Sequence, residues 1–426
     1  MRRRVDRHAA DPGLGPLSAP APPDADRPGG APAGRGTPIG PGGVRALYAA
    51  YFAYVGIFSP YLSLWLDARG LSIAEIAVLM ALPQVLRIVA PPFWGWLADR
   101  DGRRVRLLRT SAVGALLVLV ALPVASRPLE YGVAILLLSF LTAAQGPIGE
   151  ALALEVARGD AGRYGRMRLW GSVGFIATVV AGGPLLEALG LAALPWLLAV
   201  AMAALAAVTF SLPEPPPPAP RAAGGASLRE RLREPAVLAF LASAFLMVFA
   251  HAGLYAFFSL FLERHGYGTS AIGLIWGVGV IAEIVLFTVQ RRLFDRAAPM
   301  RLLAVSFLVC GLRFALVAAS GGVLWILLLT QLMHAVTFGL HHSASMAVLH
   351  RWFEPAQQAR AQAAFVVVAY GLGGSLGGLA SGWLWEAVSP SAVFAGSAAA
   401  GLLGALAVAV AARLETARPR GAAGHG

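Results

Sequence analysis

The stretch Gly95-Trp96-Leu97-Ala98-Asp99-Arg100-Asp101-Gly102-Arg103-Arg104 joins two apolar segments, each long enough to cross a membrane. Arginines that directly follow an apolar segment are typical of a cytoplasmic loop, because positively charged loops stay on that side of a membrane. Gly102 can form the turn between the segments, and Gly95 can let its helix pack closely on a neighbour. Asp99 can pair with an arginine or with the positive end of a nearby helix. The stretch therefore predicts two membrane helices joined by a short, basic, cytoplasmic loop.

The composition indicates an integral membrane protein. The chain has 426 residues, of which 58% are hydrophobic and 13% are charged, whereas about a quarter of the residues in a soluble protein are charged. The net charge is +12, and every basic residue apart from histidine is an arginine. A basic chain can bind nucleic acid, but these arginines lie in short loops between apolar segments. We therefore expect a lipid bilayer, and no nucleic acid, as the partner of this surface.

The single cysteine, Cys310, lies within an apolar segment. One cysteine excludes a disulfide framework and a thiolate metal cluster. We also expect no histidine metal site and no cofactor, because neither a thiol nor a clear carboxylate accompanies the histidines.

Twelve apolar segments have roughly the 20 residues that a bilayer requires. They divide into two groups of six, at 44–212 and 235–412, which we predict to be two halves of an all-α membrane protein. Residues 213–234 are rich in proline, glycine and arginine and are predicted to be a cytoplasmic linker. Residues 1–43 cannot form a core and are predicted to be a disordered cytoplasmic tail, with a second tail at 413–426.

The arginines also predict the orientation. Of the 34 arginines, 28 lie in the tails, the linker and one alternate set of loops, and only Arg69, Arg127 and Arg264 lie in the opposite loops. This asymmetry places both termini in the cytoplasm. We expect a multi-pass protein of the bacterial inner membrane.

The two halves are predicted to be a repeat. A shift of 196 positions aligns Asp99-Arg100 with Asp295-Arg296, and the same shift aligns Arg87 with Glu283. Two repeated groups of helices around a central site are typical of alternating-access transporters.

Charged residues within the apolar segments are candidates for function, because a charge at the bilayer centre costs about 2.5 kcal/mol or more. Arg87 lies roughly 18 Å along its helix from Asp99, which is near the midplane, and Glu283 is at the matching depth of the other half. Each either faces a solute pathway or pairs locally to hold helices together. Glu150 and Arg168 are equally distant from the turn near Gly159, so an antiparallel hairpin brings these opposite charges to one depth.

Three histidines, His334, His341 and His342, are spaced to share one helix face. A single buried histidine is usually a core residue, but these lie near Arg313 and Glu283 in the predicted bundle. Histidines and carboxylates are the usual proton carriers inside membrane pumps. We therefore interpret Glu283, Arg313, His334 and His342 as proton-coupling residues.

The opening stretch resembles the signature loop of the major facilitator superfamily, a glycine, three residues, then Asp-Arg-any-Gly-Arg-Arg. An ordinary basic loop requires only the arginines, whereas here every defined position is filled. The resemblance implies twelve transmembrane helices in two six-helix halves, the major facilitator fold. It also implies a conformational motif formed by Gly95, Asp99, Arg100, Gly102, Arg103 and Arg104.

The ranges 150–155 and 164–175 resemble the fourth and fifth helices of lactose permease and its relatives, and resemble the bacterial 3-phenylpropionate transporter group more closely still. The resemblance implies that Glu150 and Arg168 bind substrate, and we add Arg87 and His251 as further substrate-binding candidates. One position departs from lactose permease. Thr337 stands where that family has a carboxylate one turn after the histidine, so the proton carrier shifts to Glu283 or Glu150, and lactose is not the expected substrate.

The expected function is proton-coupled import of a small organic solute by alternating access, with an aromatic carboxylate such as phenylpropionate favoured. A sugar or nucleoside symporter and a facilitator exporter remain alternatives. A membrane sensor or a membrane enzyme would be a different class. An enzyme requires a nucleophile or a set of metal ligands in a loop, and the sequence shows none, so we expect a transporter. We expect this transporter to act as a monomer.

Overall fold

The computed structural model describes residues 39–216 and 228–416, and these ranges contain helices and no strands. Twelve of the helices in these ranges are long and apolar enough to cross a membrane, as the sequence predicts. In chain order they are α1 (Pro41–Ala68), α2 (Ile73–Asp101), α3 (Arg104–Val124), α4 (Pro128–Ala157), α5 (Gly162–Leu189), α6 (Leu191–Ser211), α7 (Pro235–Arg264), α8 (Thr269–Arg296), α9 (Pro299–Ala319), α10 (Leu324–Trp352), α11 (Pro355–Ala387) and α12 (Pro390–Thr416).

The predicted tails and linker lie mainly outside the described residues. The helix α1 begins at Pro41, inside the predicted tail 1–43, and α12 continues to Thr416, inside the predicted tail 413–426. Within the predicted linker 213–234, the described residues include a short helix at Leu228–Leu232.

Local sequence explains where the helices begin and end. Proline occupies the first turn of several helices, where its missing N–H costs nothing, as at Pro128 and Pro235. Asp160 precedes α5, and its carboxylate accepts a hydrogen bond of 2.9 Å from the backbone N–H of Arg163. This hydrogen bond holds the pKa of Asp160 below its usual value. At the end of α2, Gly102 has a φ of +66° and ends the helix, so the predicted turn is confirmed.

The helix bundle has two ends, a signature end and a distal end. The signature end has the Gly102 turn between α2 and α3, and the distal end has the turns at Arg69 and Arg264. Because the helices alternate in direction, the first residue of α1 and the last residue of α12 lie at the signature end. This common end agrees with the predicted placement of both termini on one side.

The hydrogen bonds and the ion pair between the two halves of the described chain lie at the distal end. Arg264 of α7 forms an ion pair of 3.0 Å with Asp67 of α1. The Thr269 hydroxyl donates to the Gly183 carbonyl at 2.8 Å, and the Ser270 hydroxyl, which follows it on α8, donates to the Glu187 carboxylate. These contacts fasten α1 and α5 of the first half to α7 and α8 of the second half.

Small residues extend this contact from the distal end to mid-depth. A Cβ atom on Gly382 of α11 would lie 2.3 Å from Ala77 of α2, and one on Gly371 would lie 2.4 Å from Ile88. Only glycine permits such a close approach of two helices. The α11 glycines therefore let α2 and α11 pack closely along the distal half of the bundle.

The signature loop is joined to its own half. Arg104 forms an ion pair of 2.6 Å with Glu155 at the end of α4. The Glu214 carboxylate accepts hydrogen bonds of 2.9 Å from the backbone N–H groups of Val105 and Arg106. An anion at the start of α3 is favourable, because the N-terminus of a helix is its positive end. These contacts fix the loop against α4 and the segment that follows α6.

Two expectations for the loop are not met in this structure. The space beside Gly95 is open, with no atom of the described residues within 4 Å of a Cβ placed there, so the predicted close helix packing at Gly95 is wrong for this state. The glycines of α11 pack on the distal part of α2 instead. Asp99 is exposed and forms no hydrogen bond or ion pair within the described ranges. The signature end of α2 therefore stands apart from the second half.

The orientation of the bundle gives a testable prediction. Reporter fusions placed at Arg127, in the 213–234 linker and at the C-terminus should report outside, inside and inside, because most arginines flank the signature end. The measurement is the activity of a reporter that works on only one side of the membrane. A linker reporter that is active outside would contradict the predicted orientation.

Candidate functional site

The helices α4 and α5 bring Glu150 and Arg168 together, as the sequence predicts. The turn between these helices is formed by Arg158 and Gly159, both with positive φ angles. Arg168 Nη1 lies 3.8 Å from Glu150 Oε1. The side chains of Arg168 and Glu150 are 53% and 38% exposed, so the pair is accessible, and its two groups form a long ion pair.

Two tyrosines complete this cluster. The Tyr48 hydroxyl, from α1, donates to Glu150 Oε2 at 2.7 Å, and the Tyr164 hydroxyl donates to Glu150 Oε1. Arg168 Nη1 in turn donates to the Tyr164 hydroxyl at 2.7 Å. Both oxygens of Glu150 are therefore occupied by tyrosine hydroxyls, and most of the Arg168 guanidinium is left without a protein acceptor within the described ranges.

Sequence reasoning missed both tyrosines. Tyr164 lies four residues before Arg168, a spacing that brings side chains together on one helix face, so this contact had a local signal. Tyr48 reaches Glu150 from another helix across 102 positions of sequence, and no local pattern indicates that contact.

Arg87 and Glu283 lie at the midpoints of α2 and α8 but are not in contact. The Arg87 guanidinium lies 5.3 Å from the centre of the Tyr370 ring of α11, a distance at which a cation is attracted to the ring face. This contact crosses between the halves. Glu283 packs beside Gly339 of α10 and forms no hydrogen bond or ion pair within the described residues.

The second half contains a buried polar cluster around Arg313, whose side chain is wholly buried. Arg313 Nε donates to the Thr330 carbonyl at 2.8 Å, and Nη1 donates to the Thr337 hydroxyl at 3.0 Å. Nη1 also lies 3.2 Å from Nε2 of His251, which comes from α7. His251 therefore belongs to the Arg313 cluster and not to the Glu150 cluster, although sequence reasoning grouped it with Glu150 and Arg168.

The histidines of α10 do not share one face. The segment Ala335–Leu340 is a π-helix, and its wider turns change the register between His334 and His341. His334 faces His251, with ring centres 6.1 Å apart, and His341 packs on Phe307. His342 lies instead beside a groove between α8 and α10 that Arg291 and His350 also line.

A π-helical segment also interrupts α11, at Val367–Gly373. Such segments are frequent at functional sites. The α10 segment contains Thr337 and the α11 segment contains Tyr370, so each lies next to one of the mid-membrane arginine contacts. Within the described ranges, no group of three His, Cys, Asp or Glu side chains is placed to hold a metal ion.

The contact between the two halves at the distal end gives a second prediction, at Gly273 of α8. A Cβ atom there would lie 2.3 Å from the Val179 carbonyl oxygen of α5 and 2.2 Å from the Tyr61 hydroxyl of α1. Gly273→Ala should destabilise the closed distal interface by about 1–3 kcal/mol, the usual cost of overpacking. We expect an impermeant maleimide to label Val180→Cys, which lies in this interface, several-fold faster in the Gly273→Ala protein.

Gly165→Ala is the matched control, because nothing in the described part of the chain lies within 4 Å of a Cβ at Gly165 of α5. Its labelling rate at Val180→Cys should equal that of the parent protein. Equal rates in the Gly273→Ala protein would show that this contact does not hold the distal end closed.

The sequence also matches a known protein family. Residues 44–395 match the model of the MFS_1 like family, which covers all but the last part of the second half. The chain belongs to this family. The resemblance inferred from the signature loop is therefore confirmed, and the chain is a major facilitator transporter rather than an enzyme.

Two curated relatives of this MFS_1 like protein are similar over most of both chains. The maltose permease of Geobacillus stearothermophilus is 29% identical over 348 residues, which cover 82% of this chain and 88% of the permease. The probable 3-phenylpropionic acid transporter of Escherichia coli (strain K12) is 28% identical over 337 residues, which cover 77% of this chain and 86% of that protein.

The fold is also similar to that of a solved transporter. The crystal structure of the nucleoside transporter NupG superposes with a TM-score of 0.71 and 18% identity, covering 88% of this chain and 99% of that one. This likeness confirms the predicted major facilitator fold for the MFS_1 like protein, with twelve transmembrane helices in two six-helix halves.

Proposed function

We propose that this MFS_1 like transporter imports a small organic anion together with protons, and that an aromatic carboxylate such as phenylpropionate is the favoured substrate. The observation on which the proposal rests is the cluster of Tyr48, Glu150, Tyr164 and Arg168. Tyrosine hydroxyls occupy the carboxylate of Glu150, and the guanidinium of Arg168 remains available to a ligand.

A free guanidinium suits an anionic substrate. Arginine presents parallel N–H groups that bind a carboxylate through two hydrogen bonds. Arg168 is half exposed, and its 3.8 Å distance from Glu150 is too long for a hydrogen bond. Its Nη1 donates to the Tyr164 hydroxyl, and within the described ranges the rest of the guanidinium is open to a substrate carboxylate. The similarity to a probable 3-phenylpropionic acid transporter supports the same class of substrate.

Arg87 and His251 are the further substrate-binding residues of this proposal. Arg87 stacks on Tyr370 where the two halves meet at mid-depth. A positive charge and an aromatic ring in one place suit an aromatic acid. His251 lies in the second half, within the buried Arg313 cluster. In this proposal it contacts the substrate from that half when the substrate is bound between the halves.

For proton coupling we propose Glu283, with Arg313, His334 and His342 as accessory groups. Glu283 is at the midpoint of α8 and has no hydrogen-bond or ion-pair partner within the described residues. A lone carboxylate at that depth is costly when charged, which favours a role in binding and releasing a proton.

Alternating access is the proposed mechanism. The contacts between the halves at the distal end, and the separate signature end, fit a state that is open toward the signature end. Gly95, Asp99, Arg100, Gly102, Arg103 and Arg104 would then act in the opposite state, in which the signature end closes. With 44–212 and 235–412 as the moving halves, the signature end would face the cytoplasm of a bacterial inner membrane, and a monomer would suffice.

A second candidate substrate is a sugar. The similarity to a maltose permease favours it, and arginine also binds paired hydroxyl groups through two hydrogen bonds. A sugar lacks the charge that would make Arg168 preferable to a neutral donor.

Uptake by proteoliposomes tests this proposal. Vesicles that contain the purified protein are given labelled phenylpropionate, maltose or uridine, with an inward proton gradient. We expect accumulation of phenylpropionate only, and its loss when a protonophore removes the gradient. Accumulation of maltose alone would favour the sugar candidate, and uptake that ignores the gradient would contradict proton coupling.

A further inference from the structure

The Arg313 cluster has a positive charge and, among the described residues, no carboxylate. Arg313 is wholly buried, and arginine is protonated in proteins. Within the described ranges, Arg313 forms no ion pair, and its hydrogen-bond partners are the Thr330 carbonyl, the Thr337 hydroxyl and His251. Its guanidinium also lies 5.0 Å from the centre of the Phe314 ring, which carries no charge. A buried charge without a counter-charge is among the most costly arrangements in a protein.

The nearby histidine does not supply that counter-charge. His251 Nδ1 donates to the Met247 carbonyl at 2.8 Å, which leaves Nε2 to accept a hydrogen bond from Arg313. In this arrangement His251 is neutral, because a protonated ring would place a donor against the guanidinium. The cluster therefore keeps the full charge of Arg313.

Three nitrogen atoms around the cluster have no hydrogen-bond partner within the described residues. They are Arg313 Nη2, Gln331 Nε2 and His334 Nδ1. The three side chains are 0%, 2% and 7% exposed, so water from the surface does not reach them freely. Buried polar groups are nearly always paired, so unpaired nitrogen atoms around a buried arginine indicate a ligand. Arg313 Nη2 and Gln331 Nε2 carry N–H groups, and His334 Nδ1 can donate in one of its tautomers.

The geometry of α10 brings these groups to one region. Thr330, His334 and Thr337 follow each other at spacings of four and three residues, so they share the helix face that meets Arg313. Gln331 adjoins this face. His334 stacks on Phe338, with ring centres 5.3 Å apart, which fixes the orientation of its ring.

We infer that Arg313, Gln331 and His334 form a binding site for a compact monovalent anion. Two sources have this chemistry, inorganic chloride and the carboxylate of the transported solute, and the second source rests on the proposed function. The site is distinct from the Glu150 cluster, because it lies in the other half and is fully buried.

Thr337 offers a sharp test, because its hydroxyl is 3.0 Å from Arg313 Nη1. Thr337→Glu supplies an internal carboxylate to the guanidinium, whereas Thr337→Gln has the same shape without the charge. The internal carboxylate should replace the bound anion. The neutral variant should leave the requirement for an anion unchanged.

The experiment compares the melting temperature of the purified protein in sodium gluconate with that in sodium chloride, at the same ionic strength. At about a hundred times the dissociation constant, an anion that binds only the folded protein should raise the melting temperature by about 4 °C or more. We expect this rise in the wild-type and Thr337→Gln proteins and its absence in Thr337→Glu.

A second arm replaces chloride by phenylpropionate and separates the two sources. A chloride response assigns the site to the inorganic ion and holds whether or not the protein transports carboxylates. A response to phenylpropionate alone, lost in Thr337→Glu and kept in Thr337→Gln, assigns it to the solute. The inference is overturned if Thr337→Glu responds like the wild-type protein, or if the wild-type protein responds to neither anion.

Discussion

Replacement of Arg168 by lysine should lower substrate affinity by about 30-fold or more while the protein folds normally. Lysine keeps the positive charge but lacks the paired N–H groups that bind a carboxylate. Loss of a charged hydrogen-bond pair that the bound substrate would bury typically costs about 2–5 kcal/mol, and about 1.4 kcal/mol corresponds to a tenfold change in affinity.

The Glu150 cluster makes this prediction decisive. If Arg168 served only to neutralise Glu150, a lysine charge would suffice, and Arg168→Lys would be almost silent. The tyrosine hydroxyls of Tyr48 and Tyr164 already bind Glu150, so the arginine is available for another partner. Equilibrium binding of labelled substrate to purified Arg168→Lys protein distinguishes the two roles.

Arg166→Lys is the matched control for this experiment. Arg166 lies two residues before Arg168, and its side chain is 66% exposed. Its ion pair among the described residues is a long one, of 4.0 Å, with Asp160. Its replacement should leave affinity unchanged. Wild-type affinity in the Arg168→Lys protein would refute a direct substrate contact at Arg168.

Replacement of Glu283 by glutamine should abolish uphill uptake and preserve exchange of substrate that is present on both sides. Glutamine has nearly the shape of glutamic acid but cannot bind and release a proton. Glu283 has no partner within the described ranges that would give it a structural role, so the variant should fold. The measurement compares accumulation driven by a proton gradient with exchange at equal substrate concentrations.

Glu263→Gln is the control for Glu283→Gln. Glu263 lies on α7 at the distal end, far along the bundle from the midpoint of α8. Accumulation should be normal in this variant. If accumulation is also normal in Glu283→Gln, Glu283 has no part in coupling, and Glu150 or His334 becomes the next candidate.

Much of the fold could be predicted from sequence because membrane helices are specified locally. Length and hydropathy determine each spanning helix, and the asymmetry of the arginines determines which loops share a side. The contact between Glu150 and Arg168 was predictable for the same reason, since both flank one short turn. Gly102 ends α2 as predicted, because a turn of this kind depends on the backbone conformation of the glycine itself.

Contacts between distant helices were not predictable in this way. The bond from Tyr48 to Glu150 and the position of His251 beside Arg313 depend on how whole helices pack. The open space at Gly95 depends on which conformational state the halves adopt. Because the sequence is the same in every state, it does not indicate which contacts one state has. The π-helical segment in α10 rotates His342 away from His334, and spacing rules for a regular helix do not anticipate it.

The central claim is that solute and protons move inward together, and simultaneous measurement of both fluxes tests it most directly. Proteoliposomes contain the protein and a pH-sensitive dye, with no initial gradient, and phenylpropionate is added outside. The account predicts that the vesicle interior acidifies as labelled phenylpropionate enters, and that both changes exceed those of protein-free vesicles. When the Glu283→Gln protein replaces the wild-type protein, neither change should exceed that of protein-free vesicles. Entry of phenylpropionate without acidification, or with alkalinisation of the interior, would contradict it.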